Sequence, residues 1–194
     1  MSKQRKYEFT GKIKTVFGIE FKQIRAIIDF GCIVAGEIGG WIESEDNLSQ
    51  SGNAWVSGNA EVSGNAWVSG NAWVSGNAWV SGNARVYGDA WVYGDAEVSG
   101  NAEVYGNAWV SGDAWVKKDD DYMVIGGAGR YNRFTTFFKC RDKTIKVICG
   151  CFFGTIIEFR AKVKETHKGN KHEKVYLAMA DMAELQIGND EVEK

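Results

Sequence analysis

Long apolar runs, cysteine and histidine are all scarce in this sequence. No stretch approaches the roughly 18–20 consecutive apolar residues that a membrane-spanning helix needs, and the N-terminal MSKQRKYEF lacks the apolar core of a signal peptide. We therefore expect no membrane partner and a cytoplasmic location. Four cysteines in 194 residues are too few for a disulfide framework, so we expect free thiols at Cys32, Cys140, Cys149 and Cys151.

Charge is nearly balanced over the chain but unevenly distributed along it. Residues 51–116 contain one arginine and six acidic residues, whereas residues 130–171 contain eleven basic and three acidic residues. The basic segment could attract an anion. Its aromatic residues, Tyr131, Phe134, Phe137 and Phe138, could stack on nucleic-acid bases, but packing in a strand core explains several of them. The acidic segment falls far below the charge density of duplex DNA. DNA is therefore not an expected partner.

Residues 51–116 consist of eleven uninterrupted hexads of the form [S/Y]-G-[N/D]-A-[W/E/R]-V. Within each hexad the alanine and valine are separated by one residue, so in an extended strand both point to one side and the residue between them to the other. The Gly-Asn or Gly-Asp pair supplies the backbone freedom of a corner. Each hexad is predicted to form one short strand and one corner.

This pattern resembles the left-handed parallel β-helix of hexapeptide-repeat proteins, in which three hexads make one triangular coil. The resemblance implies a mainly β fold with a solenoid of about four coils. Residues 1–50, rich in aromatic and β-branched residues, are predicted to form an N-terminal β cap and an imperfect first coil, with two extra residues between Leu48 and Val56. Residues 51–116 form the coils, and residues 117–194 form a C-terminal α+β module.

The C-terminal module is predicted to have the order β-β-β-α-α. Residues 122–127, 134–140 and 144–151 have strand composition. Thr155 and Glu158 form the capping box of a helix over 155–167, and Asn170 with Glu173 marks the start of a second helix that ends at Gly188.

Residues 18 apart should stack on one face of a three-hexad coil. The outward positions then form three columns. The first is entirely tryptophan and contains Trp55, Trp73, Trp91 and Trp109. The second contains Glu61, Trp79, Glu97 and Trp115, and the third contains Trp67, Arg85 and Glu103. Tyr87 and Tyr105, also 18 apart, are expected to widen the all-tryptophan face. Stacked rings could simply stiffen the rod, but so large an apolar surface is seldom left bare. We predict that these four tryptophans and two tyrosines form an interface, first with copies of the same chain in a dimer or trimer, and otherwise with a host protein.

The basic segment suggests a second site. GGAGR at 126–130 could present backbone N–H groups to an anion, with basic and hydroxyl residues following in sequence. The predicted anion-binding residues are Gly127, Gly129, Arg130, Arg133, Thr135, Thr136, Lys146 and His167. The alternative is a glycine-rich loop beside a solvated basic face. Cys149 and Cys151, placed on one face of a strand near His167, could bind a metal but are better interpreted as core residues, so no metal or cofactor is expected.

The sequence specifies the function of the protein less closely than its fold. Hexapeptide-repeat acyltransferases use a histidine base in their coils, whereas His167 and His172 both lie in the C-terminal module. The segment AIIDFGCIVAGEIGGWIESEDNLSQSGNAWV and the C-terminal module also resemble uncharacterised phage- and prophage-borne hexapeptide-repeat proteins. That resemblance implies a small cytoplasmic accessory protein of phage or prophage origin. The unequal tryptophan columns and the basic segment then favour a non-catalytic protein that oligomerises and binds a host component, with inhibition of a defence system by sequestering a protein or an anionic nucleotide signal as one hypothesis. The alternatives are an acyltransferase-like or nucleotide-processing enzyme and a purely structural rod.

Overall fold

The computed structural model describes residues 5–129 and 132–188. Three strands precede the coils: β1 (Tyr7–Val16), β2 (Ile19–Ala26) and β3 (Ile38–Ile42). Eleven two-residue strands follow, one per hexad: β4 (Trp55–Val56), β5 (Glu61–Val62), β6 (Trp67–Val68), β7 (Trp73–Val74), β8 (Trp79–Val80), β9 (Arg85–Val86), β10 (Trp91–Val92), β11 (Glu97–Val98), β12 (Glu103–Val104), β13 (Trp109–Val110) and β14 (Trp115–Val116). The C-terminal module contains β15 (Tyr122–Ala128), β16 (Arg133–Lys139), β17 (Ile145–Cys149), β18 (Phe152–Thr155), α1 (Ile156–His167) and α2 (Lys171–Ile187).

The coils form a triangular solenoid with one parallel sheet on each side. The sheet orders are β4-β7-β10-β13, β6-β9-β12, and β5-β8-β11-β14, the last extended by β3, β2 and β1. Strands 18 residues apart pair in register, as Val56 does with Val74. The repeated alanines and valines are buried and fill the interior. The predicted fold class is confirmed, because the 18-residue period that the hexads imply is the observed register.

The corners repeat with the same period as the strands. Gly70 has φ +69°, and a Cβ atom there would lie 3.0 Å from the backbone nitrogen of Gly88 in the next coil. Side-chain amides stack beside these glycines: Asn53 donates to Asn71 at 3.0 Å, and Asn71 donates to Asp89 at 2.9 Å. Glycine is thus required both by its backbone conformation and by the close approach of successive coils.

The N-terminal end of the solenoid presents carbonyl groups that need donors, because most backbone N–H groups that link the coils donate to a carbonyl of the next coil, as Trp55 does to Ala72. The cap supplies donors to them. The Lys6 ammonium donates to the carbonyl of Ala54 at 2.7 Å, and the Asn47 amide donates to those of Gly64 and Ala66 at 3.0 and 2.9 Å. Strand β3 pairs with β5 through Ile42 and Val62, an offset of 20 rather than 18 that reflects the two extra residues of the first coil.

The opposite end of the solenoid presents mainly N–H donors, which acceptors from the following chain meet, together with the Glu103 carbonyl, which accepts from the Tyr122 hydroxyl at 2.8 Å. The backbone N–H of Glu103 donates to the Asp119 carboxylate at 2.8 Å, and that of Trp109 donates to the Thr136 hydroxyl at 3.1 Å. Side chains of matching polarity therefore pair these open backbone groups at both ends of the rod.

The terminal sheet, β15-β16-β17-β18, is antiparallel and lies between the coils and the helices. Phe138 and Ile148 pack against the coil end, whereas Phe137 and Val147 pack against α1 and α2. Both helix starts agree with prediction, since the Thr155 capping box and the Asn170 cap are present. The predicted order omitted β18. Gly150, with φ +61°, turns the chain between β17 and β18, so Cys149 and Cys151 do not share one strand.

Trp55 corrects one interface prediction. It lies on the outer side of its strand and pairs with Trp73, but the N-terminal cap buries it completely. The rings of Tyr7 and Phe30 pack edge-on against its indole with centroids at 6.5 and 5.4 Å, and a Cβ atom at Gly39 would lie 2.6 Å from it. Trp55 is therefore a core residue of the cap rather than an interface residue.

Tyr87 and Tyr105 correct a second prediction, because they do not widen the tryptophan face. Tyr87 is two residues after Arg85, so its side chain leaves the same side of the chain, on the β6-β9-β12 sheet. Its hydroxyl donates to Glu103 at 2.9 Å, and its ring stacks on Tyr105 with centroids 5.3 Å apart. The two tyrosines form a separate stack beside the third face of the solenoid.

Within the described ranges, no helix combines the length and the apolar character that a membrane crossing requires.

Replacing Trp55 should test its place in the core. We expect Trp55→Ala to lower the free energy of unfolding by about 3–5 kcal/mol, because a large buried ring is lost. The matched control is Trp67→Ala, since Trp67 is 42% exposed and should change stability by less than about 1 kcal/mol. Urea denaturation of both variants measures the difference, and equal losses would contradict the assignment.

Lys6 should make stability depend on pH. Burial lowers its pKa from 10.5 to about 8. Because the folded-state pKa is below the unfolded value, the unfolded chain binds more protons between these two pH values, and stability rises with pH across that window. Relative to a Lys6→Met variant, the wild type should gain up to about 3 kcal/mol of unfolding free energy over that window. Urea titrations at successive pH values measure this difference, and a constant value would contradict the prediction.

Candidate functional site

A cavity of about 620 Å³ lies where the last coil meets the terminal sheet. We call it the terminal cavity. The last coil contributes Asn107 and Trp109, and the terminal sheet with its turns contributes the other lining residues. Its volume is within the range of small-molecule binding sites.

The apolar lining consists of Trp109, Phe134 and Ile148. Trp109 is the final residue of the all-tryptophan column. Trp91 stacks on one face of its indole, with ring centroids 5.4 Å apart and planes inclined by 16°. The cavity therefore begins where the column of stacked rings ends.

The polar lining offers hydrogen-bonding groups and one positive charge among the residues that the structure describes. Asn107, Asn132 and Thr136 supply two amides and a hydroxyl, and Arg133 supplies a guanidinium. The Thr136 oxygen already accepts the backbone N–H of Trp109, which leaves the hydroxyl proton to donate. Exposed Cys151 places a thiol at the lining. Apolar walls with a few convergent polar groups are typical of a ligand site.

Asn107 ends the corner column that begins at Asn53. In earlier coils this position is satisfied twice, since the backbone N–H of Asp89 donates to the carbonyl of Gly106 at 2.8 Å and its carboxylate accepts from Asn71. No further coil follows Asn107. Within residues 5–129 and 132–188, neither its backbone N–H nor its side-chain amide has a hydrogen-bond partner. The last corner therefore presents unused hydrogen-bonding groups at the cavity.

The predicted anion-binding residues do not converge on one site. Arg133 and Thr136 line the terminal cavity, while Arg130 lies outside the described residues. Thr135 and Thr136 are neighbours on a strand, so they face opposite sides of the terminal sheet. The prediction treated them as one group, and strand alternation is the physical reason that it was wrong.

Thr135 and His167 belong to the helix side of the terminal sheet. The Thr135 hydroxyl donates to the Cys149 sulfur at 3.2 Å, and the ring of His167 stacks on Tyr176 at 5.4 Å. Burial raises the pKa of Tyr176 to about 12, and a hydrogen bond with the Cys149 thiol adds to the rise. Gly129 packs against the same tyrosine, because a Cβ atom there would lie 2.1 Å from its hydroxyl oxygen. These contacts belong to the packing between the terminal sheet and the helices.

Lys146 is paired with the carboxylate of Asp113 and does not line the terminal cavity. It forms an ion pair with Asp113 that raises the pKa of Lys146 and lowers that of Asp113. Asp113, Cys140 and Asp142 bring their ligand atoms within 4.8 Å of one another. Burial raises the pKa of Cys140 to about 12, which keeps the thiol protonated, and metal ions need the thiolate. We interpret this group as part of the junction between the coils and the terminal sheet.

Gly127 lies beside the cavity without lining it. Its φ is +78°, and a Cβ atom there would lie 3.4 Å from the side-chain oxygen of Asn132. The sequence prediction omitted Asn107, Asn132, Phe134, Ile148, Gly150 and Cys151 from the site. For Asn107 a signal existed, since counting in steps of 18 from Asn53 identifies it as the last member of its column.

The rest of the tryptophan column is partly open to solvent. Trp91 and Trp109 are 44% and 39% exposed, and Trp73 is partly buried, with its indole N–H donating to Ser57 at 3.0 Å. The ring centroids of Trp73 and Trp91 lie 6.0 Å apart. The edges of these three rings form a continuous apolar strip along one face of the coils, which we call the tryptophan strip.

Comparison with known proteins finds likeness in the coils. Residues 60–76, 66–82 and 78–94 match a family model described as the YdcK beta-solenoid repeat. A protein of Escherichia coli (strain K12) named uncharacterized acetyltransferase YdcK is 44% identical over 50 residues, which are 26% of this chain and 14% of that protein. The chain therefore spans only a small part of this relative. The likeness supports a hexapeptide-repeat-like solenoid.

Proposed function

We propose that this protein is a non-catalytic binding protein that holds a small anionic ligand in the terminal cavity and assembles with copies of itself through the tryptophan strip. The proposal of ligand binding rests on the cavity of about 620 Å³, which has three apolar side chains on its walls and unused amide groups at its edge. Arg133 makes an anion the matching ligand.

Self-assembly is supported by the exposure of the tryptophan strip. Three large aromatic edges in one row form the kind of apolar surface that soluble proteins usually cover. Tryptophan is also among the residues most enriched at the energetic centres of interfaces. A symmetric pair or ring of copies would cover the strip on every subunit. A phage origin and an anti-defence role stay predictions of the sequence.

An acetyltransferase-like enzyme is the second candidate, favoured by the name of the E. coli relative. Its match covers only 50 residues of this chain. The terminal cavity has no histidine among its described lining residues, whereas His167 packs against Tyr176 on the helix side of the terminal sheet. Among the described lining residues there is thus no general base of the usual kind, and this favours binding without turnover.

Occupation of the cavity should protect one thiol selectively. Cys151 lines the cavity and Cys32 is an exposed thiol of the N-terminal cap, so both react with a small maleimide in the free protein. We expect at least one anionic metabolite from a defined library to slow alkylation of Cys151 while leaving Cys32 unchanged, because only Cys151 is covered. Mass spectrometry of the labelled peptides measures both rates. Uniform rates across the library would overturn the binding proposal.

Self-assembly should depend on the tryptophan strip. We expect the wild type to sediment at a small multiple of its 21.5 kDa chain mass. Trp91→Ser should shift it to the monomer, because the central ring of the strip is lost. Trp67→Ser is the matched control, since Trp67 has similar exposure on another face of the coils. A wild-type monomer, or equal dissociation of both variants, would refute this part of the proposal.

A further inference from the structure

The tryptophan column stops at the terminal cavity, and this suggests what the cavity binds. We infer that its ligand is a flat aromatic or heteroaromatic ring carrying an oxyanion, which stacks on Trp109 as the next member of the column. This inference rests on the proposed binding function and specifies the chemical class of its ligand.

The aromatic ring of the inferred ligand follows from the geometry of Trp109. Trp91 covers one face of its indole, and among the described rings none is stacked on the other face. Successive coils are spaced by roughly 4.8 Å, and aromatic rings stack favourably with centroids about 4.5–7 Å apart. A flat ring placed where the next coil would lie is therefore at stacking distance. Phe134 and Ile148 provide the apolar surroundings for its edges.

The negatively charged oxygen of the inferred ligand follows from the positions of Asn107 and Arg133. In the preceding coils the backbone N–H at this corner donates to a glycine carbonyl, as Asn71 does to Gly88 at 2.8 Å. No glycine carbonyl follows Asn107, and within the described part of the chain its N–H has no acceptor. A ligand oxygen would take the place of that carbonyl. Because Arg133 lines the same cavity, a negatively charged oxygen fits better than a neutral one.

Three probes separate these requirements. Adenosine 5′-monophosphate and 2-naphthoate are aromatic anions from different chemical sources, whereas ribose 5-phosphate keeps the anion and lacks the aromatic ring. Affinity is measured by calorimetry, and occupation of the cavity by the ratio of Cys151 to Cys32 alkylation. We expect at least one aromatic anion to bind and to protect Cys151, with ribose 5-phosphate binding at least about tenfold more weakly.

The variant Trp109→Leu tests the stacking partner. It keeps an apolar side chain and the backbone N–H that donates to Thr136, and it should weaken the aromatic anion about tenfold or more. Trp67→Leu is the matched control, because Trp67 has similar exposure and faces away from the cavity; it should leave the affinity unchanged. Thermal denaturation of both variants verifies that each is folded before binding is measured.

The outcomes distinguish the inference from the proposed function. If ribose 5-phosphate protects Cys151 as well as the aromatic anions do, or if Trp109→Leu binds like the wild type, the cavity binds anions without a ring and the inference is overturned while the binding function stands. Absence of protection by both aromatic anions at millimolar concentration also overturns the inference. The library experiment with Cys151 then decides the binding function separately.

Discussion

Most of the backbone N–H groups that link the coils of this protein donate in one direction along the rod, toward the following coil. The valine N–H groups donate back to the preceding coil, as the parallel register of Trp55 with Trp73 and Val56 with Val74 requires. Trp55 donates to the Ala72 carbonyl and Trp73 to the Ala90 carbonyl, both at 2.9 Å. The two ends of the stack therefore differ, with an excess of unused acceptors at one end and an excess of unused donors at the other. The caps differ accordingly. Lys6 and Asn47 supply donors at the N-terminal end, while Asp119 and Thr136 supply acceptors at the C-terminal end.

The same polarity explains why the candidate site lies at the C-terminal end. The N-terminal cap is built from flexible side chains and a β-hairpin that fold closely over the first coil and bury Trp55. The C-terminal end instead meets a four-stranded antiparallel sheet, whose strands do not continue the register of the coils. Thr136 reaches Trp109, but the neighbouring corner at Asn107 receives no acceptor from the described chain. The cavity is the space left by this mismatch.

Much of the fold could be predicted because short-range rules determine it. A six-residue period with one residue between alanine and valine specifies the coils, and capping residues specify both helices. The failures came from longer-range packing or from rules applied incompletely. The burial of Trp55 depends on where Phe30 and Tyr7 come to lie, which no local pattern contains. The face of Tyr87, however, follows from the alternation that placed Ala54 and Val56 together.

The site could be predicted only in fragments. Trp109 and Arg133 belonged to two separate predictions, an interface and an anion site, and only the tertiary structure brings them to one cavity. Glycine-rich and basic residues near each other in sequence suggested a single anion site, but adjacent strand residues such as Thr135 and Thr136 must face opposite ways. Nearness in sequence is therefore a poor guide to a site built on an antiparallel sheet.

A column of stacked rings presents two kinds of surface. Along its length the ring faces cover one another and only edges are exposed, which suits a broad apolar contact with another protein. At its end no ring of the described residues stacks on the second face of Trp109, which suits a single flat molecule. Because the last ring, the last corner and the terminal sheet define this end, adding or removing whole coils of 18 residues within the rod would lengthen or shorten the strip without altering the cavity. The repeat number thus sets the extent of the protein contact, and the junction with the terminal sheet sets the ligand.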